Sequence, residues 1–499
     1  MNNKNVFFIM RINKVLWICL NKISGYILLL TISAIYYPCI FAQSGLTLQS
    51  NRIPGIEYRA GGYLHPELLT WGKVNNKGPF ILIAGNKESF TIEIEIYKEI
   101  PAGSQIGVFL HFVSDFDPFQ ITDPAKPNFL TCESDDVDFN IQTFPNPAVH
   151  GGGSFFPYSK WAEIKLLNTV EPGTKLLFKF SDCSVQTYEE TLFNIRFALV
   201  RDNKITGYLG DAEFEVVGGE MHHLLIIAPT CQEPLKKSDC KIVVLDRNKN
   251  KSGLDFSNLK FRIRILDSDR PLDYENIIYN NERRYYVIKG LNFKNEGIYY
   301  LEASVNEKES ISGISNPIIV RNNWSEKVYF GDLHQHVYLS DGRGVPAGNL
   351  EYAISTGCLD FGCPIDHEFN YYGEARIFMP GSHKQNGGEE LVSAADKYNG
   401  PDLITLTGSE VSSPFVGHIN KYYLNISSED AGFLFGKYPK NTIEISNFQE
   451  YLDIIEKEKR GDDYLMLPHA HAGVGSAKYQ IPRLPEHITN IEICSVHGV

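Results

Sequence analysis

The sequence predicts a multi-domain protein, with β-sandwich domains over roughly its first two thirds and an α/β domain over the rest. From about 44 to 325, short apolar-alternating runs are separated by Gly, Pro, Asn and Asp, the pattern of half-buried strands joined by turns. After 326, strand-like runs alternate with helix-like ones, the order expected of an α/β domain. Nine of the 14 histidines fall after residue 333, so the chemistry is expected in that last part.

Residues 1–42 read as an export signal. Lys4, Arg11, Lys14 and Lys22 precede the apolar stretch Ile23 to Phe41, which ends Ile40-Phe41-Ala42 before Gln43, a small-residue cleavage pattern. The chain is therefore expected in the periplasm, at the cell surface or secreted. An uncleaved membrane anchor is the alternative, because the stretch is nearly long enough to span a bilayer.

Residues 43–231 form the first β-rich domain. Phe90 to Tyr97 alternates strictly, and Lys175 to Phe180 runs into a turn at Ser181-Asp182. The chain turns polar over Gln232 to Lys237, which places a boundary near 232. Runs at Lys241–Leu245, Lys260–Leu266, Tyr285–Ile288 and Gly297–Val305 then predict an immunoglobulin-like sandwich over 232–324, closed by Ser315-Asn316-Pro317-Ile318-Ile319-Val320. In the last domain, 325–499, a strand Val328–Leu333 leads to a helix Pro346–Thr356 with Gly357 as C-cap, then to strands at Leu359–Ile365 and Leu403–Thr407. A helix Phe448–Lys459 and strands Tyr464–Leu467 and Ile488–Ile493 continue the series.

Composition removes several function classes. With 47 Lys and Arg against 60 Asp and Glu, a net charge of −13 and no basic run, the chain lacks the clustered cations that hold a phosphate backbone, so no nucleic-acid partner is expected. Of nine cysteines, Cys19 and Cys39 leave with the signal. Cys231 and Cys240 are close enough in sequence for a loop-closing disulfide, and the lack of C-x-x-C argues against a cysteine-built zinc site. Cys358 and Cys363 read as small core residues.

Most of the late histidines stand at or just past the end of a predicted strand, the edge where α/β domains build their sites. In Asp332-Leu333-His334-Gln335-His336 the two imidazoles, at i and i+2, share a face of an extended chain and can grip one metal ion. Ser340-Asp341-Gly342 follows, then Asp366-His367, Glu410, His418 and Pro468-His469-Ala470-His471. Imidazole with carboxylate suits zinc, manganese or iron, and a carboxylate such as Glu410 can bridge two ions. Each piece alone has an ordinary structural explanation, but five such clusters in order at strand ends rarely arise from packing. The metal candidates are His334, His336, Asp341, His367, Glu410, His418 and His469, and Asp332 and Asp366 are the candidate catalytic residues. His383 and His487 read as surface residues, and His497 as a candidate site-lining group.

The runs Phe330-Gly331-Asp332-Leu333-His334-Gln335-His336, Ser340-Asp341-Gly342, Ile365-Asp366-His367, Gly408-Ser409-Glu410 and Pro468-His469-Ala470-His471 resemble the successive motifs of the PHP (polymerase and histidinol phosphatase) superfamily, over about 326–499. The β-rich region before them, the Ser-Asn-Pro-Ile lead-in and the Gly-Asp-Leu-His start resemble more narrowly an exported PHP-like family of unknown function, read as metal-dependent hydrolases. The resemblance implies a distorted (β/α)7 barrel holding two or three divalent ions. It assigns His334, His336 and Glu410 to the first ion, Asp341 and His367 to the second, and Glu410, His418 and His469 to the third. The Asp-x-His motif that ends such barrels is absent between His471 and Val499, so the expected barrel is incomplete at its C-terminus.

By the same resemblance, the expected activity is hydrolysis of an ester, phosphoesters above all, in a small or saccharide-derived anionic substrate, with a metal-bridging hydroxide as nucleophile. Arg376, Lys384 and Arg483 are the cations available to clamp such a substrate, and each reads equally as a plain surface residue. Two other classes stay open. An amidohydrolase also begins with H-x-H after its first strand, but normally needs a lysine after its fourth. A non-catalytic surface protein would use its β domains to bind glycan or protein beside a degenerate barrel.

Overall fold

Alternation in Lys87–Ile96 turns Ile92, Ile94 and Ile96 completely inward and keeps Glu93 and Glu95 on the half-buried outer face. The computed structural model describes residues 48–54, 56, 71–144, 155, 157–268, 270–306, 308–367, 387–413, 417–423 and 464–468. In it, this strand belongs to a four-stranded antiparallel sheet ordered Gly72–Asn76, Lys87–Ile96, Lys175–Ser184, Phe129–Glu133. A six-stranded sheet packs against it, ordered Ile81–Ile83, Lys204–Val217, Glu190–Arg201, Gln105–His111, Tyr158–Leu166, Phe139–Thr143. Both sheets feed one core, in which Phe90 stacks on Phe180 at 4.7 Å and meets Phe214 edge-on at 5.0 Å. Such aromatic pairs add to the area they bury.

The second module has a seven-stranded sheet, ordered Phe261–Ile265, Leu301–Val305, Lys308–Ile314, His223–Ile227, Ser238–Leu245, Tyr285–Leu291, Asn276–Asn280, and a three-stranded one. Its sheet already includes His223–Ile227, which pairs with Ser238–Leu245. The polar stretch after Gln232 is thus a turn inside this module, and the module begins earlier than the boundary near 232. Cys231 and Cys240 are free thiols rather than a disulfide. Cys231 pairs beside Ile319 in the small sheet, while Cys240 is fully buried opposite Ile288 in the large one. The Ser-Asn-Pro-Ile run ties two strands together, because the Asn316 side chain accepts from the Ala228 N–H and donates to the Ala228 carbonyl, at 2.9 and 2.8 Å.

After Trp324 the chain forms a parallel sheet of Gly331–His336, Phe361–Ile365 and Ile404–Thr405, covered by helices Pro346–Tyr352 and Gly387–Tyr398, which pack through Leu350, Ile354 and Ala394. The first helix ends in a π-type turn over Ala353–Gly357, and Cys358, not Gly357, takes the left-handed position, with φ of 49°. A closed (β/α)7 barrel is not what the described residues form. Thr407–Ser413 pairs antiparallel with Gly417–Tyr423, and that strand with Tyr464–Pro468. The connection from Ser413 to Gly417 is too short for the crossover helix that a parallel partner would require. The export signal 1–42, the helix Phe448–Lys459 and the strand Ile488–Ile493 lie outside the described residues.

Candidate metal centre

The strand Gly331–His336 breaks register between Asp332 and Gln335 against Phe361–Ile365. Asp332 holds this irregularity: its Oδ1 accepts the His334 N–H and its Oδ2 accepts Gln335 Nε2, both at 3.0 Å. Its carboxylate therefore shapes the strand that presents the imidazoles. The chain then doubles back, with the Tyr338 N–H donating to the Gly344 carbonyl at 2.9 Å. Gly342 lies so close over His336 that a Cβ there would stand 2.2 Å from its carbonyl carbon and 2.3 Å from its carbonyl oxygen. Only glycine permits this approach, and the approach returns Asp341 to the ring of His336. From the neighbouring strand, the Glu410 N–H donates to the Asp366 carbonyl at 2.8 Å, and His367 bridges to Glu410 in parallel register.

Five of the predicted ligands meet as a result. His334 Nε2 and His336 Nε2 lie 3.1 Å apart. Glu410 Oε2 is 2.5 Å from His336 Nε2, 3.4 Å from His334 Nε2 and 3.5 Å from His367 Nδ1. Asp341 Oδ1 is 2.6 Å from His336 Nδ1 and 3.6 Å from His367 Nε2. Two groups of three, His334/His336/Glu410 and His336/Asp341/His367, each bring their donor atoms within 4.8 Å of one another and share His336. Two ring nitrogens converging on one carboxylate oxygen are the donor set of a divalent cation, so the residues fit one. The two nitrogens of His336 act differently. A neutral imidazole whose Nδ1–H is held by Asp341 offers its Nε2 lone pair outward, the carboxylate–histidine–metal arrangement.

Of the remaining predicted residues, Asp366 is fully buried beside the cluster, and neither of its oxygens makes an aligned hydrogen bond, although the Ser340 main chain lies against the carboxyl. Burial, with the charges of Asp341 and Glu410 acting the same way, pushes its carboxyl well above the usual range against the opposing pull of His336. His418 lies in Gly417–Tyr423 opposite Ser412, and its side chain, like all of His469, His471, Arg376, Lys384 and Arg483, lies outside the described residues. Arg343, two residues beyond Asp341, is a participant that pattern reading passed over. A cation this near the Ser-Asp-Gly turn was the available signal.

Burial opposes charge throughout the cluster, yet the partners prevail. Asp341 and Glu410 lift the pKa of His336 well above its ordinary value, while His367 and His336 hold both acids well below theirs. For protein stripped by a chelator, the acids' contribution to stability is present above about pH 4 and fades as pH falls through their depressed values. The contribution of His336 is complete below about pH 6.5 and fades as pH rises through its raised value. A metal ion must displace the proton on His336. Its affinity is therefore expected to climb by about tenfold per pH unit through neutrality, and chelator competition at pH 6, 7 and 8 measures the slope. A flat profile would show that the ion does not use this imidazole.

No protein-family model matches the chain, and no curated protein does. Among solved structures, an Escherichia coli adhesin, FdeC, is 11% identical over 51% of this chain and 65% of its own, with a TM-score of 0.18. The surface-layer protein SbsC, domains 4–9, is 11% identical over 56% of this chain and 35% of its own, at 0.17. A marsupial T cell receptor is 8% identical over 49% and 95%, at 0.19. At these scores no argument about function passes from them to this chain.

Proposed function

We propose that the protein is an exported metal-dependent hydrolase of the phosphoesterase type, related to the PHP superfamily in its last domain. The observation that supports it best is the convergence of His334 Nε2, His336 Nε2 and Glu410 Oε2, with Asp341 and His367 completing a second, adjoining group. Two divalent ions, zinc, manganese or iron, fit these residues, and a third would draw on His418 and His469 by resemblance. Bound there, such ions supply an activated water and polarise the scissile ester.

The chain's own groups have separable roles. Asp341 fixes the His336 ring through Nδ1, and Asp332 sets the strand carrying both imidazoles. Asp366, whose carboxyl burial pushes well above the usual range, stands beside the cluster as the candidate general acid. The amidohydrolase alternative needs a lysine at the metal centre. Fully buried Lys421 stands opposite Ser409, whereas Glu410 stands opposite Asn420, which puts Lys421 on the other face of the ladder from Glu410. The export reading rests on the basic residues and apolar stretch before Ala42.

The test is elemental mass spectrometry on the purified protein together with a panel of phosphomonoesters and phosphodiesters. Two or more equivalents of metal, and hydrolysis that is lost on chelation and restored by zinc or manganese, are expected. Absence of bound metal at micromolar supply would overturn the proposal, and hydrolysis of amides but not of phosphoesters would move it to the amidohydrolase class.

A further inference from the structure

The loop that delivers Asp341 is gripped from outside its own domain. Glycines flank Arg343 on both sides, so it is the one side chain between Asp341 and Val345 able to anchor the loop. It does so on the first sandwich. Its Nη2 pairs with Glu190 Oε1 at 2.5 Å, with the two side chains 12% and 8% exposed. The contact is an ion pair rather than an aligned hydrogen bond. The guanidinium also lies against the Tyr188 hydroxyl and 5.5 Å from the centre of the Phe193 ring.

Glu190 is in turn fixed from within the sandwich. Gln186 Nε2 donates to Glu190 Oε2 at 3.0 Å, and Ser114 Oγ donates to Gln186 Oε1 at 3.1 Å. A second support comes from His111, the last residue of Gln105–His111. It is 1% exposed and set edge-on to Tyr158 at 5.5 Å. Its ring lies against the main chain of Asp341, and its Nε2 makes no aligned hydrogen bond. Burying a guanidinium and a carboxylate this deeply costs desolvation that only a well-placed partner offsets, and here each partner comes from a different domain.

We propose that the first β-sandwich forms part of the metal centre: Glu190, acting through Arg343, and His111, acting through the Asp341 main chain, are positioning residues that hold the Asp341 carboxylate against His336 and His367. This rests on the reading of the cluster as a metal site, and it gives the N-terminal domain a part in the chemistry of the C-terminal one.

The experiment titrates cobalt(II) into the full chain, following its visible absorption, with chelator competition for zinc and urea midpoints of the stripped proteins alongside. The variants are Glu190→Gln, His111→Gln and Arg343→Lys. Glu190→Gln is expected to weaken the ion that uses Asp341 by about 10- to 100-fold, the usual loss for an outer-shell partner. It should also alter the cobalt spectrum and weaken the ion on His334, His336 and Glu410 less, since Asp341 reaches that ion only by orienting the His336 ring. His111→Gln should shift the same ion in the same direction, and Arg343→Lys, which keeps the charge, should retain part of the affinity. The inference falls if both ions bind the Gln variants as tightly as the parent with an unchanged spectrum, whatever happens to the urea midpoint, because the pair would then merely fasten two domains. If Glu190→Gln does not fold, His111→Gln decides by the same criteria. Failure of the metal reading itself is distinct, since the parent would then bind no cobalt.

Discussion

Replacing His336 with alanine is expected to abolish binding at both groups, whereas replacing His334 empties only one. His336 is the member common to His334/His336/Glu410 and His336/Asp341/His367, with its Nε2 towards Glu410 and its Nδ1 on Asp341. Alanine removes a direct donor from the first group and the group that orients Asp341 in the second. The loss should therefore exceed the roughly 10- to 100-fold that an outer-shell change costs. Metal counted per chain after gel filtration should fall from two equivalents or more to none in His336→Ala, and to one in His334→Ala. The variant carries a second penalty. It leaves the buried Glu410 and half-buried Asp341 carboxylates without the imidazole between them, so the chelator-stripped variant should unfold at lower urea than the stripped parent, most clearly near pH 6, where His336 carries its proton. Retention of two ions in His336→Ala would mean that the cluster is a hydrogen-bonded network of another kind.

What the sequence disclosed follows from how local each signal is. Alternation marked Phe90 to Tyr97 and Lys175 to Phe180, because one face of each strand meets a core and the other does not, while the turn expected at Ser181-Asp182 is instead part of the strand Lys175–Ser184. The H-x-H spacing and the strand-end positions of Asp366 and His367 were legible for the same reason, since each depends on a few consecutive residues, whereas Glu410, expected past the end of a strand, lies inside Thr407–Ser413. Long-range contacts were not legible. Nothing near Arg343 in sequence shows that Glu190, more than a hundred residues earlier, receives its charge. The polar run after Gln232 looked like a linker because turns and linkers share a composition, and only the pairing of His223–Ile227 with Ser238–Leu245 distinguishes them. The antiparallel return at Gly417–Tyr423 was missed although the short connection before it, Pro414-Phe415-Val416, opens on a Ser-Pro turn signal. Asp332 shows the opposite limit: its motif position pointed to catalysis, whereas both its oxygens are engaged in shaping the His334 strand.

The largest stability loss is expected within the first sandwich, at the ion pair of Arg196 and Asp211. Arg196 is 2% exposed, and its Nε and Nη2 each donate to a separate oxygen of Asp211 at 2.9 Å. Its guanidinium lies 4.2 Å from the centre of the Tyr158 ring, which in turn flanks His111. Burial disfavours the charge on Arg196, but Asp211 more than restores it and holds its pKa above the ordinary value. Asp211→Ala would leave that cation buried with no carboxylate, and breaking such a pair from one side costs about 3–5 kcal/mol. Urea unfolding should show a lowered midpoint with an unchanged slope. The double change Arg196→Met/Asp211→Leu removes the charge as well as its partner, and it should recover most of the loss, since apolar groups of similar volume often replace buried ion pairs at little net cost. If the double variant is as unstable as the single one, the pair would be acting through shape rather than charge. Because Tyr158 touches both this pair and His111, a sandwich loosened by Asp211→Ala should also bind metal more weakly at the group that includes Asp341. The repacked double variant should restore that affinity together with the midpoint.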